Sequence, residues 1–264
     1  MKRRNVLQLL PLLAGSLSLP TIIKDNDRTK PVFVLVHGAW HGGWCWKKIK
    51  SLLNKQGYEV FTPTLTGLGE RSHLLREDIN LDTHIQDVVN VIEYEDLKNV
   101  VLVGHSYAGM VVTGVADRLP SRISHLLYLD AFMPDNGKAL KDYTPPPPPG
   151  APQNTGPDAW KVAPRENAKA WGVREESDIA WAQKRLGPQS GATFGQPLVL
   201  SQTLSDKITK GFVLLTNDSP WFLEAAQRAR SRSYQYFEML KGGHDAMISE
   251  PEEVAKILID FAAI

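Results

Sequence analysis

The part of the sequence that decides the fold is VLVGHSYAGMV, residues 101–111. The apolar run from Val100 to Val103 is typical of a buried strand, and the stretch from Tyr107 to Arg118 has the spacing of an apolar helix. Small residues stand two positions before and two after Ser106, at Gly104 and Ala108. A serine in such a tight strand–turn–helix junction is held exposed, so we predict that Ser106 is a nucleophile. The alternative is that Ser106 only caps the helix.

On both sides of this junction, strand-like runs alternate with helix-like stretches. The predicted strands are Val32 to Val36, Tyr58 to Thr62, Leu126 to Leu129, Phe212 to Leu215 and Tyr234 to Phe237. The predicted helices are Trp46 to Gln56, Asp82 to Glu93, Leu223 to Ala229 and a C-terminal helix, for which Ser249 and Glu252 form a capping-box pattern with Pro251 in the first turn. This alternation predicts an α/β fold in which helices cover a parallel sheet.

Between residues 131 and 210 the alternation is lost. Five consecutive prolines, Pro145 to Pro149, favour polyproline II conformation over helix or sheet. Three tryptophans fall on weakly helical segments of this region, at Trp160, Trp171 and Trp181. We therefore predict an α/β core made of residues 21–130 and 211–264, with residues 131–210 inserted into it.

The first 20 residues read as a signal peptide. Lys2, Arg3 and Arg4 precede an apolar stretch from Val6 to Leu19, which loosely suits a twin-arginine leader although Pro11 interrupts it. Export to the periplasm or the medium is the expectation, with no stable membrane partner after the leader is removed. The alternatives are an uncleaved N-terminal helix or anchor and a cytoplasmic protein.

The charge balance and the single cysteine exclude several classes of function. The 264 residues carry 30 Lys plus Arg and 29 Asp plus Glu, so a net charge of +1 provides no field that would gather nucleic acid. Cys45 alone excludes an intramolecular disulfide and multi-cysteine metal sites, and we read it as a packed core residue. We expect no metal and no cofactor, and a monomer and a homodimer both remain open.

A serine nucleophile needs a base and a third group that orients the base. His244 follows Ser106 in a loop near the C-terminus, so we predict that it is the base. Asp218 and Asp130 both end predicted strands and chain order admits either, but we favour Asp218, 26 residues before His244. Of the other histidines, His37 and His105 are expected to support the site, His125 to be structural, and His41, His73 and His84 to lie in loops or on helix surfaces.

Two backbone amides are predicted to stabilise the negative charge of a tetrahedral intermediate. One is the N–H of Tyr107, directly after the nucleophile, and the other is the N–H of Ala39. Ala39 lies in the glycine-containing loop HGAWHGG, residues 37–43, whose glycines let the backbone turn an amide toward the site. A phosphate-binding loop is a weak alternative, because the Walker spacing is missing.

With these residues in place, the chain resembles the α/β-hydrolase superfamily, more narrowly the plant methylesterase and hydroxynitrile lyase family with its bacterial esterase relatives. The resemblance covers residues 31–264 and rests on FVLVHGAWHGGWCW, TPTLTGLGERSH, VLVGHSYAGMV, YLDAFMP, TND and GGHDAM, in family order. It implies a mainly parallel six-stranded sheet with a cap at residues 131–210, a triad of Ser106, Asp218 and His244, and oxyanion donors at Ala39 and Tyr107.

The same resemblance separates hydrolysis from cyanohydrin cleavage. The plant lyases carry Thr where Gly38 stands and Lys directly after the catalytic His, where this chain has Asp245. A lysine there would stabilise departing cyanide, whereas Asp245 would oppose it. We therefore predict hydrolysis, although the methylesterases usually have an apolar residue at this position, and we place Asp245 at the rim of the pocket.

The resulting prediction is a serine carboxylic-ester hydrolase that forms an acyl-enzyme on medium-sized, fairly hydrophobic small-molecule esters. The predicted pocket residues are Gly38, Trp40, Phe132, Trp160, Trp171, Trp181, Trp221 and Asp245. The alternative for the aromatic residues is that they only join the cap to the core. Other functions kept open are a carbon–carbon lyase, a ligand receptor on a hydrolase scaffold, and a membrane-attached interaction protein.

Overall fold

A computed structural model describes residues 30–145, 155–164, 166–216, 219–239 and 241–264. Six strands form one sheet in the order β2-β1-β3-β4-β7-β8, and every neighbouring pair is parallel. These strands are β1 (Val32–Val36), β2 (Val60–Phe61), β3 (Val100–His105), β4 (Ile123–Leu129), β7 (Thr209–Leu214) and β8 (Gln235–Glu238). The predicted α/β class and the parallel six-stranded sheet are confirmed.

Helices cover both faces of this sheet. The α-helices of the described residues are α1 (Lys47–Lys55), α2 (Leu81–Tyr94), α3 (Ala108–Arg118), α4 (Glu176–Gln183), α5 (Ala192–Gly195), α6 (Pro220–Ser231), α7 (Ala246–Ser249) and α8 (Pro251–Ala262). Within β1, Val34 packs with residues of α2, α3 and α6, whereas Phe33 and Leu35 pack with residues of α1 and α8. Because both faces of the strand are buried, its sequence is continuously apolar instead of alternating.

Residues 131–208 lie between β4 and β7 and contain short elements. Strands β5 (Lys161–Val162) and β6 (Gln189–Ser190) pair antiparallel in a separate sheet, and none of the described residues of this segment joins the six-stranded sheet. The division into core and cap stays a prediction.

Several sequence predictions fall outside the described residues. The predicted signal peptide, residues 1–20, lies within residues 1–29, which the structure does not describe. Of the proline run, residues 146–149 also lie outside the described residues. Within the described ranges, no helix is long and apolar enough to cross a membrane.

The predicted capping box at the C-terminal helix is wrong. Glu250 is the N-cap of α8 and makes no side-chain capping bond. The Ser249 hydroxyl instead donates to the carbonyl of Gly242, at 2.8 Å, because Ser249 already belongs to the short helix α7. Pro251 does occupy the first turn of α8, as predicted.

Candidate active site

Ser106 occupies a strained turn between β3 and α3. Its φ of 55° lies in the left-handed region, which non-glycine residues seldom adopt. The Ser106 carbonyl accepts hydrogen bonds from the amides of Gly109 and Phe132, both at 3.1 Å. A Cβ at Gly109 would lie 1.8 Å from the Phe132 carbonyl oxygen, and one at Gly104 would lie 2.6 Å from Val112 Cγ2. The turn therefore requires the small residues that surround the serine.

His244 and Asp130 form a hydrogen-bonded pair at the same edge of the sheet. His244 Nδ1 lies 2.7 Å from Asp130 Oδ2, and the other oxygen of Asp130 accepts the amide N–H of Leu215 at 3.0 Å. The Asp130 side chain is fully buried, whereas the His244 side chain remains 15% exposed. Because Asp130 holds Nδ1, the free Nε2 of the ring is the nitrogen available for proton transfer.

This contact favours Asp130 as the partner of His244, whereas the sequence preferred Asp218, whose role stays a prediction. In the structure, His244 Nδ1 is bonded to Asp130, the alternative that chain order had left open. Asp218 itself lies outside the described residues. Asp130 directly follows β4 and has a φ of 44°. With this backbone conformation its side chain contacts His244. Nothing in the apolar pattern of β4 indicates that turn.

The two amides predicted to stabilise an oxyanion lie beside Ser106. Ala39 and Tyr107 line the same cavity as Ser106 and His244. Within the described parts of the chain, no protein acceptor takes the amide N–H of either residue. Free N–H groups beside the nucleophile are what a developing oxyanion requires.

His37 fixes the peptide that carries the Ala39 amide. Its Nδ1 donates to the carbonyl of Gly38 at 2.8 Å, and its Nε2 accepts the amide N–H of Leu65 at 3.0 Å. This pair of partners requires the neutral ring, and burial lowers the pKa of His37 to about 3. His37 therefore supports the site, as the sequence predicted, without titrating near neutral pH.

His84 is hydrogen-bonded to the side chain of Tyr107. The sequence placed His84 on a helix surface, but it is fully buried on α2, with Nδ1 2.9 Å from the Tyr107 hydroxyl and Nε2 donating to the Thr66 carbonyl at 3.0 Å. Burial lowers the pKa of His84 to about 4. Its position on the same face as the apolar residues Leu81, Ile85 and Val88 is the sequence signal that could have revealed this burial.

The sequence predictions for His41 and Asp245 are wrong. His41 was expected at a loop surface and Asp245 at the pocket rim, yet both are buried. They contact each other, with His41 Nε2 3.1 Å from Asp245 Oδ2. Periodicity along either segment carries no signal for this pair, because 204 positions separate the two residues.

Ser106 and His244 open into a cavity of about 830 Å³. Five of the eight predicted pocket residues line it: Gly38, Trp40, Phe132, Trp171 and Trp221. Trp160, Trp181 and Asp245 do not. Trp181 packs edge-on against Trp44 at a centroid distance of 5.1 Å, so it joins the inserted segment to the core as the alternative interpretation proposed. The Trp160 carbonyl accepts the Gly191 amide at 2.7 Å, a contact within the inserted segment.

Aromatic rings form two walls of the cavity. On one side Trp40 stacks on Trp171, with centroids 5.9 Å apart and planes 6° from parallel. On the other, Phe222 stacks on the His244 ring at 4.8 Å. The sequence missed Phe222, which lies on α6 and belongs to the buried core as well as to the cavity.

Comparison with known proteins places this geometry in a family. Residues 33–257 match the model of the alpha/beta hydrolase family. The chain is 40% identical over 240 residues to a carbendazim hydrolyzing esterase of Nocardioides sp. (strain SG-4G), covering 86% of this chain and 97% of that protein. It is 32% identical over 121 residues to methylesterase 8 of Arabidopsis thaliana, covering 46% of this chain and 44% of that protein.

A solved structure agrees with this assignment at the level of the fold. The chain superposes on a methylesterase from Arabidopsis with a TM-score of 0.71 at 23% identity, covering 88% of this chain and 99% of that one. The resemblance stated from the sequence motifs is thus confirmed, and the protein belongs to the alpha/beta hydrolase family, among relatives that are esterases by name.

Proposed function

We propose that this protein is a serine carboxylic-ester hydrolase with Ser106, His244 and Asp130 as its catalytic residues. The observation that carries the proposal is one cavity that holds a serine in a left-handed turn and a histidine whose Nδ1 is bonded to a buried carboxylate. An activated serine needs this arrangement, because the hydroxyl is a weak nucleophile without a base.

In the first half of the reaction, His244 Nε2 takes the Ser106 proton as the oxygen attacks the ester carbonyl carbon. The bond to the alcohol then breaks, and His244 returns the proton to the departing alkoxide. Asp130 holds the ring in the correct tautomer and stabilises its cation. In the second half, His244 takes a proton from water as the oxygen of that water attacks the acyl carbon. The bond from this carbon to Ser106 Oγ then breaks, His244 returns the proton to Oγ, and the acid leaves.

The negative oxygen of both tetrahedral intermediates is stabilised by the amides of Ala39 and Tyr107. Free N–H groups that are already oriented need no rearrangement during the reaction, which makes them effective electrostatic donors. His37 keeps the Gly38–Ala39 peptide in place through its bond to the Gly38 carbonyl.

The substrate we propose is a medium-sized ester with a flat aromatic or hydrophobic group. The stacked Trp40–Trp171 pair and the Phe222 ring beside His244 support this, since aromatic cavity walls favour planar apolar groups. The name of the bacterial relative adds carbendazim as a specific candidate. Alkyl and aryl esters of similar size are the other candidates.

The residues at positions 38 and 245 favour hydrolysis over cyanohydrin cleavage. A Cβ at Gly38 would lie 2.9 Å from the Ser106 Cβ, so the threonine of the plant lyases does not fit this loop as it stands. Asp245 does not line the cavity and is bonded to His41, so position 245 does not offer a leaving group the positive charge of the lyase lysine.

The test is a substrate panel of methyl, aryl and carbendazim-type esters, with a cyanohydrin included. We expect release of acid and alcohol from at least one aromatic ester, and its loss in Ser106→Ala. Cyanide release from the cyanohydrin would support the lyase instead. Tight product binding with no turnover by the folded protein would support the receptor.

A further inference from the structure

His41 and Asp245 form a buried pair that the proposed mechanism does not use. The side chains are 3% and 0% exposed, and His41 Nε2 lies 3.1 Å from Asp245 Oδ2. The other ring nitrogen, Nδ1, lies 2.7 Å from the carbonyl oxygen of Ala39. One histidine therefore bonds both the proposed oxyanion loop and the residue that directly follows the proposed base.

These contacts define the protonation of the ring. A carbonyl accepts only, so Nδ1 donates to Ala39, and the contact with Asp245 needs one proton between Nε2 and Oδ2. We assign that proton to Nε2, which makes the ring an imidazolium. Burial opposes this charge, but the charge of Asp245 and the hydrogen bond to it outweigh burial and raise the pKa of His41 above its ordinary value.

Among the contacts described for this pair, no cation other than His41 lies beside the Asp245 carboxylate. The titratable groups that face His41 are Asp245 from the start of α7, His105 from the end of β3, 6.3 Å away between ring centroids, and His37 from the end of β1. Burial lowers the pKa of His37 and of His105, so both are neutral. Burial and Asp245 together raise the pKa of the nearby Cys45 thiol, which is neutral as well.

The pair also closes a ring of contacts through three parts of the chain. The Asp245 amide donates to the Trp171 carbonyl at 2.9 Å, and the Trp171 ring stacks on Trp40. Trp40 follows Ala39, whose carbonyl is bonded to His41. Loop 37–43, the His244 loop and the segment between β4 and β7 are thereby joined at one point.

Stability alone is a poor explanation for the pair. Within the described residues, Asp245 Oδ1 is buried and has no hydrogen-bond partner. An incompletely bonded buried carboxylate costs free energy that an apolar pair of similar volume would not cost. We therefore expect the His41–Asp245 pair to position other groups of the site and not mainly to stabilise the fold.

We propose that the His41–Asp245 ion pair is a positioning device that holds the Ala39 amide and the His244 ring in register around Ser106. This inference rests on the proposed function. His41 lines the cavity, but neither side chain of the pair has a described contact with Ser106 or with the His244 ring. The pair acts through the Ala39 carbonyl and through the backbone beside His244.

Two variants of Asp245 separate positioning from simple destabilisation. Asp245→Leu leaves His41 Nε2 without an acceptor, whereas Asp245→Asn can donate to the Nε2 of a neutral His41 and so preserve both contacts. We expect Asp245→Leu to lower kcat by about 30-fold or more with KM within about threefold, because small misplacements of catalytic groups are costly. Asp245→Asn should retain kcat within about fivefold.

The matched control is Asp117→Asn, at a buried carboxylate outside the cavity. Asp117 accepts the amides of Ser201 and Gln202 at 3.0 and 3.2 Å, so its replacement should lower Tm and leave kcat unchanged. A folded Asp245→Leu enzyme with native kcat would overturn the proposal, as would Asp245→Asn being equally impaired.

A second measurement needs no variant of Asp245. In nitrogen-15 spectra of the histidines of the wild-type protein, assigned with His41→Gln, we expect both His41 nitrogens to stay protonated at pH values above the ordinary histidine pKa of 6.5. A neutral His41 ring would overturn the ion pair even if Asp245→Leu does not fold. If the wild-type protein hydrolyses no ester, the proposed function fails, whereas these spectra still test the pair.

Discussion

Asp130 Oδ2 lies 2.7 Å from His244 Nδ1, and this contact links the end of β4 to the loop before α7. The second oxygen of Asp130 is bonded to the amide of Leu215, directly after β7. Two neighbouring strands of the sheet therefore hold the carboxylate rigidly, and the carboxylate in turn fixes the tautomer of His244.

Replacing Asp130 by Asn should abolish most of the activity. The amide preserves the volume but favours the wrong tautomer of His244, so we expect kcat to fall by roughly 10³- to 10⁴-fold. Steady-state kinetics on an aryl ester measure this loss. The control is Asp218→Asn, which should stay within about fivefold of the wild type. A collapse of kcat in Asp218→Asn with native kinetics in Asp130→Asn would reverse the assignment.

Replacing Gly109 by Ala should destabilise the fold. The added Cβ would lie 1.8 Å from the Phe132 carbonyl oxygen, so backbone must move, and overpacking of this kind costs about 1–3 kcal/mol. Urea unfolding measures the change in free energy. Gly187→Ala is the control, because a Cβ there has no heavy atom within 4 Å. Equal stability of the two variants would show that the turn between β3 and α3 has room for a Cβ at position 109.

Trp171→Leu should weaken binding of aromatic esters. It removes the ring that stacks on Trp40, and aromatic pairs contribute about 0.5–1.5 kcal/mol beyond burial, so KM should rise by about 2- to 12-fold. Trp181→Leu provides the comparison, since Trp181 contacts Trp44 outside the cavity and its loss should affect Tm instead. A larger KM effect in Trp181→Leu would contradict the placement of the substrate.

The free energy of unfolding should decrease as the pH falls below about 6.5. Burial lowers the pKa of His37 to about 3 and that of His84 to about 4, so the unfolded chain binds more protons than the folded one at acidic pH. Their contribution is complete above the ordinary histidine pKa of 6.5 and is lost as the pH falls toward the folded values. Urea unfolding between pH 7.5 and 5 measures the slope.

His84→Gln is the variant that tests this explanation. Glutamine does not titrate, so the pH dependence should become less steep while stability at pH 7.5 decreases through the lost bond to Tyr107. An unchanged slope would mean that other groups cause the acid sensitivity.

The elements of the fold were predictable because their signals are local. The apolar runs of β1 and β3 and the small residues around Ser106 reflect contacts close in sequence, and the strand–turn–helix junction follows from them. The short strand β2 was predicted too long, at Tyr58 to Thr62, because only Val60–Phe61 pairs with β1. Strand ends depend on neighbouring strands, which a propensity pattern does not contain.

The site was less predictable where it depends on distant pairs. Asp130 and Asp218 both follow strands, so only the three-dimensional path of the His244 loop selects between them. The burial of His41 by Asp245 depends in the same way on two loops 204 positions apart. His84 was missed for a different reason: its apolar neighbours on α2 gave a usable signal, but its polarity suggested a surface position.

The most direct test of the account is the mass of the intact protein after a short exposure to a fluorophosphonate, with Ser106→Ala, His244→Ala and Asp130→Asn measured alongside. An activated serine predicts a single adduct, located on Ser106, that is absent in Ser106→Ala and formed far more slowly in the other two variants. A folded wild-type protein that forms no adduct would contradict the proposed catalytic site. The same holds if His244→Ala forms the adduct as fast as the wild type does.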